Sequence, residues 1–282
     1  MVENRGLNYW LTHVGLSFGV LVLFFPLWLA FVASTVTNSE VIHPPMPLWP
    51  GDQFFVNYGR ALIEGDSGQT SASVARMLLN TVIVAIGIAV GKIVISFTSA
   101  FAIVYFRFPA RKFFFWIIFL TLMLPVEVRI LPTYEVVAGF GMLNTYSGLI
   151  FPLIASATAT FLFRQFFMTV PDEIVEAARI DGARPMQFFI DILIPISRTN
   201  IAALFLIMFI YGWNQYLWPL LVTTEQNMTT IVMGIQAMLY VPDDINEWNI
   251  TMATAILAML PPVLIIIVMQ RQFVKGLVET EK

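Results

Sequence analysis

Three ionisable side chains lie inside strongly apolar stretches of this 282-residue chain, namely Lys92, Glu127 and Arg129. A lone charge at the centre of a bilayer costs at least about 2.5–3.5 kcal/mol, so such residues usually face protein or a water-filled path. Counted at about 1.5 Å per residue from the predicted cytoplasmic ends of their apolar stretches, Lys92 lies roughly 20 Å deep and Glu127 and Asn214 roughly 21 Å. The spacing therefore predicts that these three meet at one polar level inside a membrane domain.

Two interpretations of the charged residues stay open. A Lys92–Glu127 ion pair would fix the register of two neighbouring helices, because each buried charge needs a partner. Alternatively, a polar ring lines a translocation path, and Arg129 is left to attract an anion. Arg129 could instead pair with Glu135 in the loop beyond.

A run of four polar and aromatic residues interrupts a later apolar stretch. Four side chains in a row point all around a helix, so some must face inward and line a path. Amides can equally hold membrane helices together by hydrogen bonds. The translocation-path candidates in this run are Trp213, Asn214, Gln215 and Tyr216.

Catalytic chemistry finds little support in the composition. The chain has no cysteine, and its two histidines, His13 and His43, stand alone near the first apolar stretch. A membrane enzyme would need a nucleophile–base pair or a metal cluster, and neither is evident. Gly91-Lys92 is no phosphate loop, because Ile86 replaces the required glycine. We therefore expect no catalytic residue, no metal site and, without a basic tract, no nucleic-acid partner.

The elements that position these residues are apolar helices. The chain is 58% hydrophobic and 12% charged, which is too apolar for a soluble protein. A helix crossing the bilayer needs about 20 mostly apolar residues. Six stretches qualify and predict an all-α membrane protein with six transmembrane helices: Val14–Ser34, Leu78–Tyr105, Phe113–Thr133, Gly148–Met168, Asn200–Val222 and Thr251–Gln270.

The distribution of basic residues predicts the orientation. With both termini in the cytoplasm, eleven Lys and Arg residues lie inside, and only Arg60 and Arg76 lie outside. The larger outer segments are then Thr35–Ala75 and Glu225–Ile250. No duplicated half is evident, which argues against an ion-coupled secondary transporter.

Two pairs of glycines have the spacing of closely packed membrane helices. They are Gly15 with Gly19 and Gly87 with Gly91, each four residues apart. Small residues at this spacing let two helix backbones approach each other. We expect both pairs to lie at helix contacts.

The polar segment 169–198 predicts a helix-turn-helix. Thr169 and Pro171 suit a helix start, Gly182 suits a left-handed helix end, Pro185 suits the second start, and Pro195 its end. An amphipathic hairpin on the membrane surface is the alternative. Small alanines at its centre favour a protein groove over lipid. The second helix has an apolar face of Met186, Phe188, Phe189 and Ile192.

Within this segment, residues 176–195 read Glu-Ala-Ala-x₃-Gly-x₉-Ile-x-Ile-Pro, which resembles the EAA motif of ABC-importer permeases. The flanks are similar to the carbohydrate-uptake, maltose-permease-like group of binding-protein-dependent permeases, over about Leu78 to the C-terminus. Ile194 stands in place of the usual leucine, and Thr199 in place of a common proline. The matching flanks are Gly148-Leu149-Ile150, Phe166-Phe167, Pro171, Asp181-Gly182-Ala183, Trp213-Asn214 and Pro219-Leu220.

The resemblance implies a type I ABC importer permease fold whose loop docks into a cleft of an ATP-binding subunit. Glu176 and Gly182 would be central to that contact. The residues it assigns to ATPase coupling are Glu176, Ala177, Ala178, Asp181, Gly182, Ile192 and Pro195. It further implies a multi-pass inner-membrane subunit that is not itself an enzyme, and three domain ranges: 1–77, then 78–270 with the loop 169–198, then the tail 271–282.

The implied partners are a homologous second permease, an ATPase dimer that carries ATP and Mg, a periplasmic substrate-binding protein and the lipid bilayer. No cofactor belongs to this chain. Some stretches are similar to a subgroup that imports a small anionic substrate, a phosphate ester of glycerol; a neutral sugar is the alternative. These stretches are 124–129, 156–171, 211–220 and 270–282.

Overall fold

The computed structural model describes residues 7–64, 72–121, 126–239 and 246–278, with side chains described for 9–64, 72–121, 128–239 and 246–270. Within these ranges every regular element is a helix, which agrees with the expected all-α class.

Fifteen α-helices are found in the described part of the chain, some of them very short. A 3₁₀ turn, Phe151–Leu153, extends α7, and a π-helical turn, Phe188–Leu193, joins α10 to α11. The α-helices are α1 (Leu7–Ala33), α2 (Asn38–Ile42), α3 (Phe54–Ile63), α4 (Val74–Tyr105), α5 (Arg111–Leu120), α6 (Val126–Gly139), α7 (Tyr146–Ile150), α8 (Ala157–Phe167), α9 (Asp172–Ile180), α10 (Pro185–Gln187), α11 (Ile194–Ile196), α12 (Arg198–Trp213), α13 (Leu217–Val222), α14 (Ile231–Leu239) and α15 (Trp248–Val278).

Three of these helices are long and apolar enough to cross a membrane, and the number rises to five if each of two bent pairs is one span. The long helices, α1, α4 and α15, confirm the first, second and sixth predicted spans. One bent pair, 146–153 with 157–167, bends by 50° and corresponds to the fourth. The other joins 185–196 to α12 at 74°. The third predicted span surrounds residues 122–125, which lie outside the described residues, so the count of six stays a prediction.

The predicted fifth span, Asn200–Val222, is not one continuous helix. It is interrupted between α12 and α13, at residues 214–216. The amide of Asn214 donates to the carbonyl of Ile210 at 3.0 Å, and the amide of Gln215 donates to that of Tyr211 at 3.0 Å. These side chains supply donors to carbonyls in the last turn of α12, of which that of Ile210 also accepts from the backbone N–H of Asn214 at 3.1 Å. Backbone groups beside a break at membrane depth need such partners.

The chain divides into two compact units, residues 1–76 with 234–260 and residues 77–233 with 261–282. In the first unit, Asn57 is buried in the outer segment and makes three hydrogen bonds. Its amide donates to the carbonyls of Ser34 at 3.0 Å and Val36 at 2.9 Å, and its oxygen accepts from Asn249 at 3.0 Å. A buried amide is stable only when it is paired in this way.

Two further contacts of the first unit hold the start of α15. Arg60 forms an ion pair with Glu247, in which its Nη2 donates to both carboxylate oxygens and the shorter distance is 2.6 Å. Asn38 donates to the carbonyl of Asn246 at 3.0 Å and accepts from the backbone N–H of Trp248 at 2.9 Å. The described residues of the segment 35–75 therefore hold the start of α15 by hydrogen bonds and an ion pair, which the Pro-, Gly- and Ser-rich composition of the segment did not indicate.

In the second unit, α4 is packed closely at its glycines. A Cβ atom built on Gly87 would lie 2.6 Å from Cδ1 of Ile150, and one on Gly91 would overlap the side chain of Ile154. The predicted close packing of this pair is confirmed. The expectation for Gly15 and Gly19 is not met within the described chain, where a Cβ added to either glycine would have nothing within 4 Å.

We expect Gly212→Ala to destabilise the fold. A Cβ at Gly212 would lie 2.9 Å from Cα and 3.2 Å from the carbonyl oxygen of Ala85 on α4, and backbone atoms cannot move aside as a side chain can. Overpacking of this kind costs about 1–3 kcal/mol. The measurement is the midpoint of thermal unfolding of the purified chain in detergent.

Gly59→Ala is the matched control, since Gly59 also lies inside a helix but has nothing within 4 Å of the added atom. Alanine there should leave the midpoint unchanged or raise it, because it orders the helix better than glycine. Equal losses in the two variants would contradict the packing argument.

Candidate coupling loop and membrane path

The first helix of the loop, α9, ends in a Schellman motif. Gly182 has a φ angle of +76°, its N–H donates to the carbonyl of Arg179 at 3.0 Å, and the N–H of Ala183 donates to that of Ala178 at 2.9 Å. This pair of hydrogen bonds closes a helix when the residue after the cap is left-handed. The prediction that Gly182 ends the helix in this conformation is confirmed.

The prediction that Thr169 caps the start of α9 and that Pro171 lies in its first turn is wrong in both details. Pro171 occupies the N-cap position, and the hydroxyl of Thr169 donates back to the carbonyl of Phe166 at 2.7 Å. Thr169 therefore helps to close the preceding helix, α8. Asp172 and Glu173 lie in the first turn of α9, where carboxylates suit the positive end of the helix dipole.

The second half of the loop begins at Pro185, as predicted, and ends at Ile196, one residue after Pro195. Between them the backbone forms the π-helical turn Phe188–Leu193, which no sequence pattern indicated. Ser197 follows, with its hydroxyl bonded to the carbonyl of Leu193 at 2.5 Å, and the chain then turns by 74° into α12.

Aromatic side chains attach the loop to the end of α4. The ring of Phe189 lies 4.8 Å from that of Phe101 and 5.3 Å from that of Phe97, and the ring of Phe188 lies 5.2 Å from that of Tyr105. Aromatic pairs at these distances add to the stabilisation that burial provides. We call the following set the aromatic anchor: Phe97, Phe101, Tyr105, Phe163, Phe167, Phe188 and Phe189.

The opposite side of the loop is exposed. Apolar side chains are prominent there: Ile180 is 85% exposed, Met186 61% and Ile190 52%. We call the exposed residues between 172 and 190 the coupling face. Large exposed apolar side chains on a structured loop are typical of a surface that a partner protein covers.

The seven residues predicted to contact an ATPase fall into two groups. Ala178 is buried beneath the loop and Ile192 is half-buried. The remaining five are exposed: Glu176, Ala177, Asp181, Gly182 and Pro195. Among the residues of the predicted apolar face, Phe188 is buried and Met186 is exposed. The predicted face is therefore divided between the buried side and the exposed side of the loop. Sequence reasoning missed Ile180 and Ile190.

Among the candidates for a translocation path, Lys92 is 6% exposed and its Nζ lies 3.6 Å from the centre of the Tyr211 ring. A cation over an aromatic face is attracted by the negative charge of that face. Among the side chains that the structure describes, none provides Lys92 with a carboxylate. The side chain of Glu127 lies outside the described residues, so the Lys92–Glu127 pair stays a prediction.

The other path candidates have different surroundings. Arg129 is exposed on α6, and it forms no ion pair with Glu135, although both side chains are described. Trp213 is buried, whereas Asn214 and Tyr216 are exposed and Gln215 is half-buried. Tyr211, which sequence reasoning did not select, is the residue of α12 that meets Lys92.

The described residues thus form an all-helical body with a buried cation and a structured, exposed loop. Residues 92–279 match the family described as "Binding-protein-dependent transport system inner membrane component". The chain belongs to this family, and it is therefore an inner-membrane permease.

Particular relatives are similar over their whole length. The proteins named "sn-glycerol-3-phosphate transport system permease protein UgpE" from Agrobacterium fabrum and Rhizobium meliloti are 57% and 58% identical over 282 residues. The protein of that name from Pectobacterium atrosepticum is 56% identical over 283 residues. Each match covers 100% of both chains.

One solved structure has the same fold. It is described as a "bacterial ABC transporter involved in the import of the acidic polysaccharide alginate", and its chain superimposes with a TM-score of 0.81. The match covers 97% of this chain and 99% of that chain at 21% sequence identity. At this identity the likeness establishes the importer-permease fold and no more.

We expect Tyr211→Leu to destabilise the membrane body because it removes the ring that faces the Lys92 ammonium. A desolvated contact of this kind is worth about 2 kcal/mol. Tyr211→Phe keeps the ring and is the matched control, so it should retain most of the stability. The measurement is the midpoint of unfolding in detergent; equal losses in both variants would show that the ring does not stabilise the cation.

Proposed function

We propose that this chain is a translocating subunit for sn-glycerol 3-phosphate in an ATP-driven importer that depends on a binding protein. The assignment of the substrate rests on the sequence identity of 56–58% with full-length relatives whose names include sn-glycerol 3-phosphate. A related importer for a neutral sugar is the alternative, because the family model itself specifies no substrate.

The proposed mechanism is alternating access driven from the coupling face. Closure of an ATPase pair moves the loop, and the aromatic anchor passes that movement to the end of α4. The path then opens outward, the binding protein delivers substrate, and hydrolysis of ATP turns the path inward. Each ligand drives this cycle only if it binds the two states unequally.

The partners follow from this mechanism. They are a homologous second permease, two copies of an ATPase that holds ATP and Mg, and a periplasmic substrate-binding protein. The distribution of Lys and Arg supports a topology in which both termini lie in the cytoplasm. Residues 78–270 form the transporting domain of the proposed assembly, and residues 271–282 a cytoplasmic tail.

Arg129 is the path candidate that would attract a phosphate ester. It is a permanent cation, and its guanidinium can bond two oxygens of a phosphate at once. Its exposure on α6 leaves that group accessible. Lys92, held against Tyr211, has the structural role of stabilising the contact between α4 and α12.

The test of the substrate is ATP hydrolysis by the complete assembly in lipid, with its binding protein, comparing sn-glycerol 3-phosphate with a neutral disaccharide. Stimulation by the phosphate ester alone is expected. Arg129→Gln should weaken the stimulation more than Arg129→Lys, which keeps the charge. Stimulation by the disaccharide would overturn the substrate, and no response to either would overturn the importer assignment.

We expect Gly182→Ala to reduce stimulated ATP hydrolysis, because the left-handed backbone that closes α9 strains any residue with a Cβ by about 1–2 kcal/mol. Gly141→Ala is the matched control, since Gly141 also has a positive φ angle, of +67°, and free space around it. Both variants should lose similar stability, but only Gly182→Ala should lose coupling.

Glu176→Lys, which reverses an exposed charge on the coupling face, should lose coupling without losing stability.

Equal hydrolysis in the two glycine variants would contradict the assignment of the coupling face. So would a Glu176→Lys assembly that responds to substrate as the unmodified assembly does.

A further inference from the structure

A cavity of about 500 Å³ lies beside the coupling loop and plays no part in the mechanism above. It is formed by the end of α4, by α5 and by α8. Its walls combine two kinds of side chain. Three are cations, Arg111, Lys112 and Arg164, and the aromatic part of the wall includes Phe115, Trp116 and Phe161.

Within the part of the chain that the structure describes, no acidic side chain pairs with the cations of this cavity. No carboxylate is among the described side chains that line it. The guanidinium of Arg164 lies 4.3 Å from the centre of the Phe115 ring, and Arg111 donates to the backbone carbonyl of Phe106 at 3.3 Å. These contacts orient the two arginines but leave their charges uncompensated, so the cavity attracts anions.

The position of the cavity indicates which anions it meets. Ile103 and Val104 of α4 line it, and their neighbours Phe101 and Tyr105 contact the coupling loop. The cavity is therefore at the same end of α4 as the loop. Under the proposed function, on which this step rests, that end faces the cytoplasm and lies at the headgroup level of the inner leaflet.

Around the cavity, α5 turns large apolar side chains outward. Trp116 is 57% exposed and Phe113 is 62% exposed. In a bilayer such a surface faces lipid, and tryptophan is enriched where the hydrocarbon meets the headgroups. A lipid that lies along α5 can therefore enter the cavity without crossing water.

We propose that this cavity binds an anionic phospholipid of the inner leaflet. The lipid phosphate lies among Arg111, Lys112 and Arg164, and the upper part of an acyl chain lies along Phe115, Trp116 and Phe161. Basic pockets between membrane helices on the cytoplasmic side suit such headgroups. A free phosphate would bind the cations but would leave the aromatic side chains without an apolar partner. The cationic and aromatic residues together therefore favour a lipid.

The bound lipid also has a structural consequence. Its phosphate bridges α5, which carries Arg111 and Lys112, to α8, which carries Arg164. Both helices flank the end of α4 that holds the aromatic anchor. Occupation of the cavity therefore stabilises the support of the coupling loop.

The test uses the complete assembly in nanodiscs that contain phosphatidylcholine and phosphatidylglycerol. Native mass spectrometry measures the phosphatidylglycerol that remains bound after the bulk lipid is removed. We expect the triple variant Arg111→Gln, Lys112→Gln, Arg164→Gln to retain about tenfold less. Arg107→Gln is the matched control, because Arg107 is an exposed cation between α4 and α5 that does not line the cavity.

A second readout locates the lipid. Brominated phosphatidylglycerol should quench tryptophan fluorescence in the assembly, and Trp116→Phe should remove the part of the quenching that Trp116 contributes. Should the triple variant fail to assemble, Lys112→Gln alone changes an exposed side chain and should still lower retention about threefold.

Three results would overturn the site. They are unchanged lipid retention in the cation variants, displacement of the bound lipid by millimolar inorganic phosphate, and an absence of Trp116 quenching, which would mean that a partner subunit fills the cavity. ATP hydrolysis is measured in the same samples. If the unmodified assembly hydrolyses ATP but retains no lipid, the lipid site alone is contradicted. If it retains the lipid but hydrolyses no ATP, the proposed function alone is contradicted.

Discussion

Contact between the aromatic rings of the loop and those of α4 is the interaction on which the proposed transport cycle depends. Phe188 and Phe189 connect the loop to α4 by side-chain contacts, in addition to the covalent chain. Rings packed at 4.8–5.3 Å are dense and resist sliding, because protein interiors are close-packed rather than fluid. A push on the exposed side of the loop would therefore move the end of α4 with it.

Helix α4 can carry such a movement because its other contacts are also close. Gly87 and Gly91 admit Ile150 and Ile154, and Ala85 lies directly against Gly212 of α12. Lys92 adds a charge contact with Tyr211 on the same helix α12. One long helix thus connects the loop to the two interrupted regions, at residues 154–156 and 214–216, where freed backbone groups in a membrane usually line a cavity.

The sequence was sufficient for features that depend on local chemistry. Long apolar runs predicted α1, α4 and α15, and Gly182 and Pro185 predicted the turn of the loop. The spacing of Gly87 and Gly91 predicted a close contact on α4, although not its partners, Ile150 and Ile154. Such features depend on steric limits of single residues and on the need to bury the backbone in lipid.

Features set by tertiary contacts could not be predicted in this way. The apolar face of the second loop helix gave no indication that Phe188 turns inward while Met186 turns outward, since both lie on one apolar stripe. The choice of Tyr211 over Asn214 as the neighbour of Lys92 depends on a side-chain direction that depth counting does not resolve. The break at residues 214–216 needs carbonyl partners that only the folded chain reveals. The lever role of the loop and the path role of Arg129 stay predictions.

The most direct test of the account is the distance between two spin labels during the ATP cycle. The chain has no cysteine, so spin labels at Ile180→Cys on the coupling face and Val94→Cys on α4 are the only labels that this subunit carries. The labels are measured in a complete assembly that is competent to hydrolyse ATP. We expect one distribution of label-to-label distances, which is the same with and without ATP and substrate. In Phe189→Ala the distribution should be broader. A distance that changes with ATP in the unmodified loop would show that the loop moves independently of α4, and would contradict the account.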